Sequence, residues 1–142
     1  MEQKINNMLS DLNVFYHKLQ CYHWYVKGPD FFTVHGKLEE CYDEVQAQID
    51  ELAEVALMSG CSPESRLMEY LKNTSFNEAK PEYVSSKAIF KVLLTDYNHL
   101  LESIKSLKKM ADEKSNYLLS VTCDDFIASY EKKIWMISQS QM

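Results

Sequence analysis

Four long stretches of this chain place apolar residues three or four apart, and very little interrupts them. Ile5, Met8, Leu9, Leu12, Phe15, Tyr16, Leu19, Tyr22 and Val26 share one face of a helix. Val34, Leu38, Cys41, Val45, Ile49, Leu52 and Ala56 predict a second such face. Ile89, Leu93, Leu100, Ile104 and Leu107 predict a third, and Leu118, Val121, Ile127, Tyr130, Ile134 and Ile137 a fourth. Only three glycines and three prolines punctuate the chain. Gly28-Pro29 stops the first helix, Asp30 is the expected N-cap of the second, and the second ends near Gly60. Ser62 and Pro63 predict the cap and first position of a short helix within "CSPESRLMEYLKN". Thr74 to Tyr83 reads as a loop, and "DEKSN" separates the last two long helices. Alternating apolar runs are absent, so the expected fold is all-α: a single-domain four-helix bundle with a short extra helix between its second and third long members.

The formal net charge is −6, which opposes ordinary nucleic-acid binding, where clustered Lys and Arg must replace counterions. The basic runs are no longer than "SLKKM" and "EKK", and neither end of the sequence is polybasic. No apolar run reaches the length of a membrane span. "MEQKINNMLSDLN" lacks a signal pattern, so the expected location is the cytoplasm. Cys21, Cys41, Cys61 and Cys123 form no CxxC pair and are expected to be reduced and buried.

One segment, "HGKLEECYDEVQAQIDELAE", carries chemistry in two places. His35 with Glu39 and Asp50 with Glu54 each have the i, i+4 spacing that puts two side chains on one helical face. Eleven residues from Glu39 to Asp50 span about three turns, so both pairs share that face. They lie roughly 16 Å apart along the axis, too far for one metal ion. If a second copy packs its helix antiparallel across a two-fold axis, position 35 meets 54 and 39 meets 50, because both sums are equal. The axis then passes between Glu44 and Val45, and a dimer gains two identical sites. His23 lies about as far before the Gly28-Pro29 corner as His35 lies after it, so it can join the first pair. The resulting set is His23, His35 and Glu39 from one chain with Asp50 and Glu54 from the other. Two imidazoles and three carboxylates suit Fe(II), Mn or Zn, and the imidazoles must be neutral to bind. Each pair is also what a solvated helix face carries, worth a few tenths of a kcal/mol, so spacing leaves both readings open.

Other residues read more plainly. His17 sits on another face. Asp96 and His99 echo half of a bundle-core Glu-x-x-His motif without its second copy. Trp24 and Trp135 are expected to pack, Trp24 beside the site. Glu40, Asp43 and Glu44 are either solvated or a place to hold iron.

The run "HWYVKGPDFFTVHGKLEECYDEVQAQIDELAE" resembles the signature of the Dps proteins, the miniferritins: His23-Trp24, then Phe31-Phe32-Thr33-Val34-His35, then Asp50-Glu51-Leu52-Ala53-Glu54. Similarity continues through "SPESRLMEYL" to "EKKIWM". The resemblance implies a ferritin-like bundle assembling as a hollow homododecamer, with ferroxidase sites at its two-fold interfaces. It implies oxidation of Fe(II), preferentially by hydrogen peroxide, storage of ferric mineral, and protection against oxidative stress. The family's metal ligands, which are also its catalytic residues, fall on His23, His35, Glu39, Asp50 and Glu54; zinc is a competing occupant. Three features depart from the family. Glu39 stands where Asp is usual, the lysine-rich DNA-binding tail of many members is missing, and Tyr117 and Val121 occupy places where pore acids are expected. Asp112 remains, and Glu113, Asp124 and Asp125 are the candidate substitutes. The expected partners are further copies of the chain, Fe(II) and peroxide; the acidic charge and missing tail count against DNA, and no membrane partner is expected. The alternative within the family is a DNA-compacting protein.

Overall fold

A computed structural model describes all 142 residues. The long helices are α1 (Glu2–Tyr25), α2 (Phe31–Met58), α4 (Ser86–Glu113) and α5 (Tyr117–Ser140), with the short α3 (Leu67–Asn73) between α2 and α4. α1 packs along α2 and α4 along α5, and contacts of α1 with α4 and α2 with α5 close the bundle. Two-residue strands that the apolar pattern does not reveal, β1 (Val26–Lys27) and β2 (Val84–Ser85), pair in parallel. That bridge ties the start of α4 to the corner between α1 and α2. The crossover from α2 therefore runs the bundle's length, the ferritin-like connection.

The helix ends follow local chemistry. Gly60 has φ +79, and Cys61 and Gly60 donate to the carbonyls of Ala56 and Leu57 at 2.9 and 3.1 Å. This is the Schellman arrangement that closes a helix with a left-handed residue. α4 closes the same way on Ser115 (φ 55), with Asn116 donating to Ala111 and then capping α5 through Leu119. Asp30 is the N-cap residue of α2, but its carboxylate accepts from the Ser86 hydroxyl at 2.5 Å and caps nothing.

Two sequence expectations are corrected. α3 begins at Leu67, not at Pro63, because α1 holds the preceding backbone extended. Glu2 accepts from the Ser62 amide at 2.6 Å, and Asn6 accepts from Glu64 while donating to the Ser62 carbonyl. In α5, Leu119, Cys123, Phe126, Tyr130 and Ile137 face inward, whereas Leu118 and Val121 are exposed. The stripe is one residue out of phase with the sequence reading at its start: Ser120 and Thr122 are buried beside Leu119 and Cys123, with the Ser120 hydroxyl accepting from Lys108 of α4 at 2.8 Å and Thr122 donating to the Leu118 carbonyl at 2.9 Å.

The core is one cluster of buried side chains running from Ile5 to Ile137. It includes Cys41 and Cys123, while Cys21 and Cys61 are half-buried and none forms a disulfide. Burial pushes the Cys123 thiol up to about 12. Within α1 and α4, Lys18 Nζ lies 2.8 Å from Asp96 Oδ2, both buried. Trp24 and Trp135 are both exposed, against the expectation that they pack. No helix is long and apolar enough to cross a membrane.

Candidate metal centre

The corner between α1 and α2 brings His23, His35 and Glu39 together. α1 ends at Tyr25, so the carbonyl of His23 in its last turn has no helical partner. His35 Nδ1 fills that vacancy at 2.7 Å, and His23 Nδ1 reaches the carbonyl of His35 at 2.6 Å. A carbonyl only accepts, so each Nδ1 is a donor, and in a neutral ring the Nε2 lone pair is left free. This is how proteins hold an imidazole for metal binding, with the second ring nitrogen tied to a backbone oxygen. The rings stack with centroids 3.7 Å apart and 13° between planes, and Phe31 stacks on the outer face of His35 at 4.8 Å. His23 is buried, and its Nε2 lies 3.8 Å from Glu39 Oε1.

Asp50 and Glu54 lie further along α2, exposed on the same face. Asp50 shares a shallow groove there with Asp43, Gln46, Ala47, Ile49 and Ala53. They do not reach the first trio within one chain, and no three His, Cys, Asp or Glu side chains of one chain converge to hold a metal ion. Within one chain the two groups stay apart on α2. The ends of the same face are apolar and open: Phe32 is 89% exposed and Leu57 63%.

The neighbouring acids are largely neutralised. Glu40 pairs with Lys37 at 3.0 Å, and Glu44 with Lys133 at 2.8 Å and with the Ser129 hydroxyl. Burial works against ionisation of Glu44, yet the hydrogen bonds from Lys133 and Ser129 bring its pKa below the ordinary value. Of this cluster only Asp43 carries no ion pair. At the start of α5, Tyr117 and Val121 are exposed, while Lys108 lies 2.8 Å from Asp124 and 3.7 Å from Asp112. Two of the four candidate pore acids are thus held by one lysine.

Beside the trio stands Tyr42, which the motif reading passed over. Its hydroxyl donates to Glu39 Oε1 at 3.4 Å, and its ring meets His23 edge-on at 5.4 Å. Desolvation first, and then the Glu39 and Asp43 carboxylates, raise its pKa. The signal was present in the sequence, since 42 follows 39 by three and 35 by seven on one helical face.

The sequence matches the ferritin-like domain family over residues 2–140. It is 35% identical over 133 residues to a DNA protection during starvation protein of Helicobacter pylori, covering 94% of this chain and 92% of that one. Among solved structures, a Dps protein from Bacillus brevis superposes with a TM-score of 0.94 at 33% identity, covering 99% of this chain and 94% of that one. A Dps protein from Vibrio cholerae, described as a member of a broad superfamily of ferritin-like diiron-carboxylate proteins, superposes with a TM-score of 0.95 at 30% identity, covering 99% and 88%. Helix order, crossover and these matches agree, and the chain belongs to the Dps miniferritin family of ferritin-like proteins.

Proposed function

We propose that this protein is a ferroxidase that oxidises Fe(II) at sites shared between two copies and stores the ferric product inside a shell of twelve. Each site takes His23, His35 and Glu39 from one chain and the partner's Asp50 and Glu54. The observation that carries the reading is the reciprocal bonding of His23 and His35, which commits both Nδ1 atoms to backbone and leaves both Nε2 atoms free. The exposed ends of α2 support the pairing. Antiparallel packing that sets 35 against 54 also sets Phe32 against the partner's Leu57, covering two apolar side chains that one chain leaves in water.

Fe(II) is the substrate. Neutral imidazole and carboxylate ligands suit it, and the same set accepts Zn(II), which competes without redox chemistry. Hydrogen peroxide is the preferred oxidant over dioxygen: one peroxide takes one electron from each of two Fe(II) ions and leaves as two hydroxide ions. Supplying both electrons together yields no hydroxyl radical, and ferric product passes to the interior. Removing Fe(II) and peroxide together protects the cell from oxidative damage. The four free cysteines fit the reducing cytoplasm.

The H. pylori relative's name offers a second reading, DNA protection by direct contact. A charge of −6 per chain opposes it. Chemical protection of DNA needs no contact, and gel retardation at moderate salt without divalent cations separates the two readings.

The test replaces His35 and Asp50 separately by Ala and follows peroxide-driven Fe(II) oxidation. Each change lowers the rate at least about tenfold. Co-assembly of the two variants restores activity, because one of the two sites in each mixed pair keeps every ligand. Unchanged rates in both variants, or no recovery on mixing, rule the reading out.

A further inference from the structure

We propose that Tyr42 is a positioning residue that sets the carboxylate of Glu39 against His23 Nε2; this rests on the half-site reading above and deepens it. One oxygen carries the relationship. Glu39 Oε1 is 3.8 Å from His23 Nε2 and accepts from the Tyr42 hydroxyl at 3.4 Å. Glu39 is exposed and long, and without a tether its carboxylate spreads over several rotamers. No cation holds it, because Lys37, two residues earlier, is engaged by Glu40 at 3.0 Å. Tyr42 itself is fixed from two sides. Its ring stands edge-on to His23 at 5.4 Å and 82°, and edge-on to Tyr16 at 5.6 Å and 80°.

Tyr42 therefore contacts two members of the trio at once, the imidazole of His23 through its ring and the carboxylate of Glu39 through its hydroxyl. An aspartate at 39 would end one methylene short of this hydroxyl. The glutamate reaches further and is steadied where it arrives. Tyr42 stays outside the ligand set and acts through Glu39.

The experiment titrates Co(II), a spectroscopic stand-in for Fe(II), into the assembled protein and follows its visible absorption. Tyr42→Phe keeps the ring and its packing, so particle size and melting temperature stay as in the wild type. Co(II) binding weakens about tenfold or more. The Fe(II) concentration for half-maximal oxidation rises more than the maximal rate falls. Glu39→Gln weakens Co(II) binding by itself, and adding Tyr42→Phe to it changes little further, because the tether then has no carboxylate to hold. Wild-type Co(II) affinity in Tyr42→Phe, or a full additive loss in the double variant, overturns the inference and leaves the half-site reading standing. A wild type that binds no Co(II), with His35→Ala indistinguishable from it, overturns the half-site reading and this inference with it.

Discussion

His23 and His35 each donate from Nδ1 to the other's backbone carbonyl, at 2.6 and 2.7 Å, across a 3.7 Å stack of their rings. The pair thus joins the end of α1 to the start of α2 without any metal. His35→Ala removes one of these bonds and leaves the His23 carbonyl unpaired, a loss of about 1 kcal/mol. Thermal unfolding of metal-free protein should show a melting point lowered by a few degrees. Nitrogen chemical shifts of labelled imidazoles should show the proton on Nδ1 in both wild-type rings. Protons on Nε2 would contradict the geometry.

Phe32 and Leu57 test the pairing of copies. Phe32 is 89% exposed in one chain, so Phe32→Asp leaves the bundle's helicity intact. If it is covered by the partner's Leu57, the change removes burial worth about 2 kcal/mol at each of two symmetric contacts and adds a desolvated charge. Sedimentation should show smaller species. Adding Leu57→Lys, which places an opposite charge across the contact, should restore the large particle. Full-sized particles from Phe32→Asp would remove α2 from the interface.

Lys18 and Asp96 form a buried pair in which Asp96 Oδ2 makes no aligned hydrogen bond. Burial raises the pKa of Asp96, with Lys18 opposing the shift. A carboxyl whose folded value is raised favours folding below its ordinary pKa and loses that contribution as pH rises through the folded value. Lys18→Met leaves the carboxylate unpaired and should cost about 3 kcal/mol at neutral pH. The deficit should shrink on acidification while still above the ordinary Asp value of 3.8. Asp96→Leu in the same background should recover most of it. A pH-independent deficit would show that lost packing, not charge, is the cause.

Ser115 closes α4 in the left-handed region that favours glycine, with φ 55. Ser115→Gly should therefore stabilise the protein by about 1 kcal/mol, and Gly60→Ala at the matching end of α2 should destabilise it by a similar amount. Denaturant midpoints at fixed protein concentration measure both. No gain from the glycine would mean that its entropy in the unfolded chain cancels the relieved strain.

Much of this molecule is legible in one dimension because helices are local. Three- and four-residue spacing placed the buried faces of α1, α2 and α4, and Gly28 and Gly60 marked ends that positive φ explains. The distance from His23 and His35 to a common corner brought both to the same depth, since helical rise is constant. What the sequence left undecided depends on groups far apart in the chain. Asn6 and Glu2 keep residues 62–64 out of α3, the Lys18–Asp96 pair joins helices 78 residues apart, and Lys133 neutralises Glu44 from α5. The phase of α5 escapes local reading for the same reason, because polar Ser120 is buried where Lys108 of α4 donates to its hydroxyl. Local periodicity fixes which side chains share a face; only the folded chain decides which face is covered, which charges are paired, and which imidazole nitrogen is left free.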